Sequence, residues 1–71
     1  MLVYKNKEGE IIEKYENDSE NGDVFYKDKK IGTFDIEHDS NLGSYYLIIL
    51  NNGKEFHDYY FEDKDIIKHI V

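Results

Sequence analysis

Cysteine, proline, arginine, tryptophan, alanine and glutamine are all missing from this chain of 71 residues. Without cysteine there is no disulfide framework, and a cysteine-based zinc site is excluded with it. A chain of this length holds one domain, and below roughly 70–80 residues a single core seldom supplies more than about 3–5 kcal/mol. Stability must therefore come from apolar packing, self-association or a partner. Ile, Lys, Asn, Tyr, Asp and Glu are abundant, and their codons are A/T-rich, whereas those of Ala, Arg and Pro are G/C-rich. This bias points to a gene from an AT-rich genome: a low-GC bacterium, or one of its phages or plasmids. Long apolar runs are missing too. Nothing approaches the ~20 apolar residues of a membrane span. Met1-Leu2-Val3-Tyr4 runs straight into Lys5 with no signal-peptide core, so a cytoplasmic location is expected.

The motifs of catalysis and metal binding are equally sparse. Ser19, Ser40 and Ser44 fall in expected loops without the strand-to-helix context of a nucleophile elbow. No glycine loop is arranged to cradle phosphate. His38, His57 and His69 sit in different elements without close ligand spacing. His57 and Asp58 are adjacent, so on a strand they face opposite ways. Asn17, Ser19, Asn21, Gly22, Val24 and Asp28 fall at the positions of a calcium loop. The first place, however, lacks Asp, the last lacks the bidentate Glu, and no helices flank the segment. A polar turn explains it better. The expectation is a non-enzymatic protein without metal or cofactor.

What the chain does have is a six-residue run, Tyr45-Tyr46-Leu47-Ile48-Ile49-Leu50, bounded by Asn, Ser and Gly before it and by Asn and Gly after it. It reads as a strand buried on both faces and as the centre of an antiparallel sheet. Around it the spacing predicts further strands. Leu2–Lys5 and Glu10–Glu16 form a hairpin about Asn6-Lys7-Glu8-Gly9. Val24–Lys27 turns through Asp28-Lys29-Lys30 into Ile31–His38. Lys54–Phe61 returns beside the central strand after Asn51-Asn52-Gly53, a strong hairpin signal. Residues 17–23 read as an acidic loop. Asp63 is a plausible N-cap for a closing helix with the apolar stripe Ile66, Ile67, Ile70 and Val71, and a final strand over Asp65–Val71 is the alternative. The predicted fold is α+β, a small antiparallel meander of about five or six short strands with one C-terminal helix packed on the sheet.

Sixteen acidic residues against nine lysines leave a net charge of −7. Such a field repels nucleic acid and anionic lipid and attracts basic surfaces, so no direct contact with nucleic acid or membrane is expected. On the Ile31–His38 strand and just beyond it, Asp35, Glu37 and Asp39 share one face at a spacing of about 6.5 Å. Three carboxylates in such a row imitate successive backbone phosphates, although a solvated acidic face has the same composition. Asp58, Glu62, Asp63 and Asp65 extend the negative surface. Seven tyrosines are too many for so small an interior, and those left outside suit a protein interface. Tyr59 is expected to pair across the strands with Tyr45 or Tyr46. These features together suggest an acidic inhibitor or adaptor encoded by a phage or mobile element. It would dock on the basic groove of a nucleic-acid-handling defence protein, in the manner of anti-CRISPR or anti-restriction proteins. Asp35, Glu37, Asp39, Asp63 and Asp65 would be its charged contacts, and Tyr45 and Tyr59 its anchors. The alternative is a structural or regulatory homodimer joined through a tyrosine-rich sheet.

Overall fold

The computed structural model describes residues 1–14 and 21–70. Six strands form one antiparallel sheet: β1 (Leu2–Asn6), β2 (Ile11–Ile12), β3 (Asn21–Tyr26), β4 (Lys29–Asp39), β5 (Gly43–Leu50) and β6 (Glu55–His57). One short helix, α1 (Asp63–Ile67), follows. The protein is thus mostly β, with a helix of five residues. The strand order β2-β1-β3-β4-β5-β6 departs from a plain meander at one point, because β3 adds beside β1 and leaves β2 at the edge. Among the described residues no helix is long and apolar enough to cross a membrane.

The spine of the sheet is β4, not the Tyr45–Leu50 run. Its eleven residues pair with β3 from Lys29 to Asp35 and with β5 from Gly32 to Asp39. β5 has a full-length neighbour on one side only, since β6 is three residues long. Nor is β5 buried on both faces. Tyr46, Ile48 and Leu50 are sealed in the core, while Tyr45, Leu47 and Ile49 stay half-exposed. The reason is the pleat: alternate side chains point to opposite faces, and α1 packs on one of them.

That inner face gathers Leu2, Tyr4, Val24, Phe34, Tyr46 and Ile48, and Ile66 of α1 closes on it. The rings of Phe34 and Tyr46 stack at 4.7 Å, and Tyr4 meets Phe34 edge-on at 5.5 Å. Aromatic rings bury much area per ordered residue, which suits a core this small. Two glycines let the strands approach around these rings. A Cβ on Gly22 would strike the carbonyl oxygen of Lys5 and come within 2.9 Å of the Phe34 ring; one on Gly32 would strike the carbonyl oxygen of Ile49.

The turns hold the register. Asn6 Oδ1 accepts the N–H groups of Glu8 and Glu10 at 3.1 and 2.9 Å, and Gly9 takes the left-handed conformation that closes the first hairpin. The Asn51-Asn52-Gly53 turn is built the same way. The Gly53 N–H donates to the Leu50 carbonyl, and the Leu50 N–H donates to the Lys54 carbonyl. The loop therefore has three residues with a left-handed glycine last, not a two-residue Asn-Gly turn. The β3–β4 turn lies one residue earlier than the spacing predicts. Tyr26 faces Lys29, and Lys27 and Asp28 sit between them with φ of 50° and 63°.

Other expectations shift as well. The expected loop over 17–23 is already strand from Asn21, and Asn21, Gly22 and Val24 of the calcium-like pattern lie in β3. The rest of that segment, residues 17–20, lies outside the described residues, as do Tyr15, Glu16 and Val71. The Lys54–Phe61 strand shrinks to Glu55–His57, because the Tyr60 N–H donates to the His57 carbonyl and turns the chain. The N-cap is Glu62, one residue before Asp63, and its own N–H donates to the Asp65 carboxylate at 3.0 Å.

Candidate functional site

The outer face of the sheet carries the residues that alternate with the core. Register across β4 and β5 sets Thr33 opposite Ile49, Asp35 opposite Leu47 and Glu37 opposite Tyr45. His57 of β6 then lies beside Leu47. Val3 and Phe25 pair on the far side, where Lys5 Nζ sits 4.5 Å above the Phe25 ring. Half-exposed apolar side chains thus form the floor of this face, and Asp35 and Glu37 stand exposed on it. Among the described residues no lysine forms an ion pair with either carboxylate, whereas Asp23 on the same face is taken by Lys30 at 3.2 Å.

Tyr45 is the hinge between acids and rings. Its hydroxyl lies 2.9 Å from His57 Nδ1, and the two rings are 5.4 Å apart. Partial burial holds the hydroxyl above its ordinary pKa; the negative charges of Glu37 and Asp39 and the neighbouring Tyr60 add to the effect. Tyr60 meets Tyr59 edge-on at 5.3 Å, and both rings are exposed. Glu37, Tyr45, His57 and the Tyr59-Tyr60 pair therefore form one corner of the sheet.

The seven site residues expected from the sequence divide between two places. Asp35, Glu37 and Tyr45 come together on the outer face. Asp39 ends the same row, but its Oδ1 accepts the N–H groups of Asn41 and Leu42 at 2.7 and 3.0 Å. Those bonds hold its carboxyl below the ordinary range and give it a turn to stabilise. Tyr59 reaches the corner through Tyr60 rather than by facing Tyr45 or Tyr46 across strands. Asp63 and Asp65 belong to α1, on the opposite side of the sheet. Asp63 lies 3.5 Å from Lys14 Nζ, which also bonds Asp58 at 3.0 Å. Asp65 is occupied with its own helix terminus.

The sequence sets His57 aside as a metal or catalytic residue and does not count it or Tyr60 among the expected contacts. Pairing β5 with β6 across the glycine-closed turn brings His57 to Leu47 and next to Tyr45, so the signal was the hairpin register. Each histidine has a neighbour of its own: His38 Nδ1 lies 2.8 Å from Ser44 Oγ, and His69 Nδ1 lies 3.2 Å from Lys54 Nζ. The outer face presents exposed anions, an apolar floor and aromatic edges on one sheet, which is chemistry suited to docking. Compared with known proteins, the chain matches no family model, no curated protein and no solved structure.

Proposed function

We propose that this protein is a small non-enzymatic inhibitor or adaptor that lays its outer sheet face on a basic protein surface. The partner class is a nucleic-acid-handling protein, and the fitting biological setting is a phage or mobile element acting against a host defence enzyme. One observation carries the reading. Asp35 and Glu37 stand in a row on the sheet, unpaired among the described residues, beside half-exposed Leu47 and Tyr45. A lysine-poor row of anions steers a cationic groove into place, and the apolar floor and tyrosine edges then supply contact area. Asp39 shapes the end of the row, and Asp63 and Asp65 serve the α1 side of the molecule.

The test is a binding panel of purified nucleases and guide-loaded nuclease complexes from low-GC bacteria, with and without their nucleic acid. The expected result is a complex that nucleic acid displaces, that forms more slowly as salt rises, and that Asp35→Asn/Glu37→Gln abolishes without loss of fold. Light scattering that finds a homodimer with Asp35 and Glu37 buried in its interface would overturn the reading in favour of self-association.

A further inference from the structure

The sequence holds two Asn-Gly pairs, Asn21-Gly22 and Asn52-Gly53. In such a pair the glycine nitrogen, screened by no side chain, is able to attack the asparagine Cγ and close a succinimide ring. Two things decide whether it does: the freedom of that peptide to turn, and what meets Oδ1, where negative charge gathers as the new bond forms. The fold sets the two pairs apart.

Gly22 lies inside β3 and is paired on both sides, with Asn6 of β1 and Phe34 of β4. It sits so close to the Lys5 carbonyl oxygen that a Cβ would strike it. Its peptide cannot rotate without breaking the pairing to both neighbours. Gly53 closes the exposed β5–β6 turn, and nothing lies within 4 Å of where its Cβ would stand. Its N–H donates to the Leu50 carbonyl at 2.9 Å, a single bond at a hairpin tip, where local opening costs least. The Asn52 side chain folds forward over the Gly53 residue, because its Oδ1 accepts the Lys54 N–H at 2.9 Å. A backbone donor therefore stands ready at the atom that becomes the oxyanion. Asn52 Nδ2 lies 3.5 Å from the His69 carbonyl, a contact too long to hold the amide firmly. Asn6 makes a similar turn, its Oδ1 accepting the Glu8 N–H at 3.1 Å, but Lys7 follows it and sets a side chain beside the nitrogen. Among the described asparagines, Asn52 alone combines a following glycine, an exposed turn and a backbone donor on Oδ1.

We propose that Asn52 is a self-modification site, converted by water alone to aspartate and isoaspartate in the folded protein. The Gly53 N–H gives its proton to solvent base, and the nitrogen bonds to Asn52 Cγ. The Cγ–Nδ2 bond then breaks, and Nδ2 leaves as ammonia with a proton taken from solvent. Water opens the succinimide. Cleavage between Cγ and the Gly53 nitrogen leaves aspartate; cleavage between the Asn52 carbonyl carbon and that nitrogen leaves isoaspartate. One water is consumed, one ammonia is released, and nothing is oxidised or reduced. Isoaspartate lengthens the main chain by one carbon inside the loop that sets the β5–β6 register. It therefore loosens His57 from its place beside Leu47 and Tyr45. The chemistry does not depend on the partner proposed for the outer face.

The experiment is incubation of the full chain in mildly alkaline buffer, with a parallel sample in concentrated urea. Released ammonia is measured, and the products are mapped by peptide mass spectrometry with electron-transfer fragmentation, which separates isoaspartate from aspartate. In the folded protein Asn52 should convert to a mixture rich in isoaspartate, faster as pH rises, while Asn6 and Asn21 keep their amides. In urea Asn21 should convert as well, and Asn52 should go no faster than in the fold. Lys54→Pro removes the N–H donor and keeps the carbonyl that bonds Leu50. It should slow Asn52 by about tenfold, the worth of one hydrogen bond to the developing charge, with the amides of Phe34 and Tyr46 in place. Should that variant disturb those core amides, the comparison of folded and urea rates decides alone. The proposal fails if Asn52 keeps its amide in the folded protein, if folded Asn21 converts as fast, if unfolding speeds Asn52, or if a folded Lys54→Pro variant converts at an unchanged rate.

Discussion

Tyr45 and Tyr46 are neighbours with the same side chain and opposite roles. Tyr46 is sealed against Phe34 and Tyr4, while Tyr45 lies half-exposed beside Glu37 and bonds His57. The difference extends to the whole sheet, whose inner face is a closed aromatic and aliphatic core and whose outer face mixes apolar side chains with charge. The pleat alone separates them, so what a residue does here depends on its parity and on which face α1 covers. The inner face answers for stability, and the recognition proposed for this protein falls to the outer face.

The strongest way to break that division is to truncate the two tyrosines in turn. Tyr46→Ala or Phe34→Ala should cost about 3–5 kcal/mol. That is comparable with the whole stability expected of so small a core, so the variants should show an unfolded far-ultraviolet spectrum in buffer. Tyr45→Ala should remain folded, with a urea midpoint close to that of the unmodified protein. Equal losses at the two positions would mean that the outer face is as much core as the inner one. Backbone contact gives the next effect. Gly32→Ala sets a methyl group against the Ile49 carbonyl, where the paired strand cannot give way easily. A loss of about 1–3 kcal/mol is expected from such overpacking. Asp35→Asn/Glu37→Gln, by contrast, should change stability by no more than about 0.5 kcal/mol, and its effect should fall on partner binding and its salt dependence.

The β3–β4 turn offers a smaller gain. Lys27 and Asp28 hold positive φ without being glycine, and two-residue turns of this kind favour Asn-Gly. Lys27→Asn/Asp28→Gly should raise the unfolding free energy by roughly 0.5–1 kcal/mol, read from the urea midpoint.

Strand identity was legible in the sequence because alternation and turn residues are local signals. β1, β4 and β5 and the four connecting turns about Gly9, Lys27-Asp28, Asn41 and Gly53 lie within a residue or two of where the spacing puts them. Sheet order and coverage were less legible, since they depend on contacts between distant segments. Nothing local to Ile11-Ile12 says that β3 will add on the other side of β1. Nothing local to Tyr45–Leu50 says that one of its faces stays open. For the site, the pairing of Asp35, Glu37 and Tyr45 follows from strand parity plus the β4–β5 turn. The diversion of Asp39 to a turn and of Asp65 to a helix terminus follows from hydrogen bonds to backbone N–H groups, which a row of carboxylates on paper does not reveal. Their side chains accept local donors as readily as they face a partner.

The finest test of the outer face is its proton chemistry, where Tyr45 and Asp39 should respond at opposite ends of the pH scale. Tyr45 keeps its proton longer in the folded state than the ordinary tyrosine value of about 10. The stability this contributes is present in full below that value and is lost as pH rises through the folded value. Asp39 releases its proton more readily when folded, because the N–H groups of Asn41 and Leu42 bond its charged form. Its contribution is present above the unfolded aspartate value of about 3.9 and is lost as pH falls through the folded one. An ultraviolet titration of tyrosinate should therefore show a late-ionising component that Tyr45→Phe removes and that Glu37→Gln moves toward ordinary tyrosine. Asp39→Asn should flatten the acid limb of a stability–pH profile and, by removing one of the charges near Tyr45, shift the alkaline limb slightly toward ordinary tyrosine. If Glu37→Gln leaves the late component where it was, burial together with Asp39 and Tyr60 holds the Tyr45 proton without Glu37. Glu37 and Tyr45 would then be two neighbours on a sheet rather than parts of one electrostatic corner.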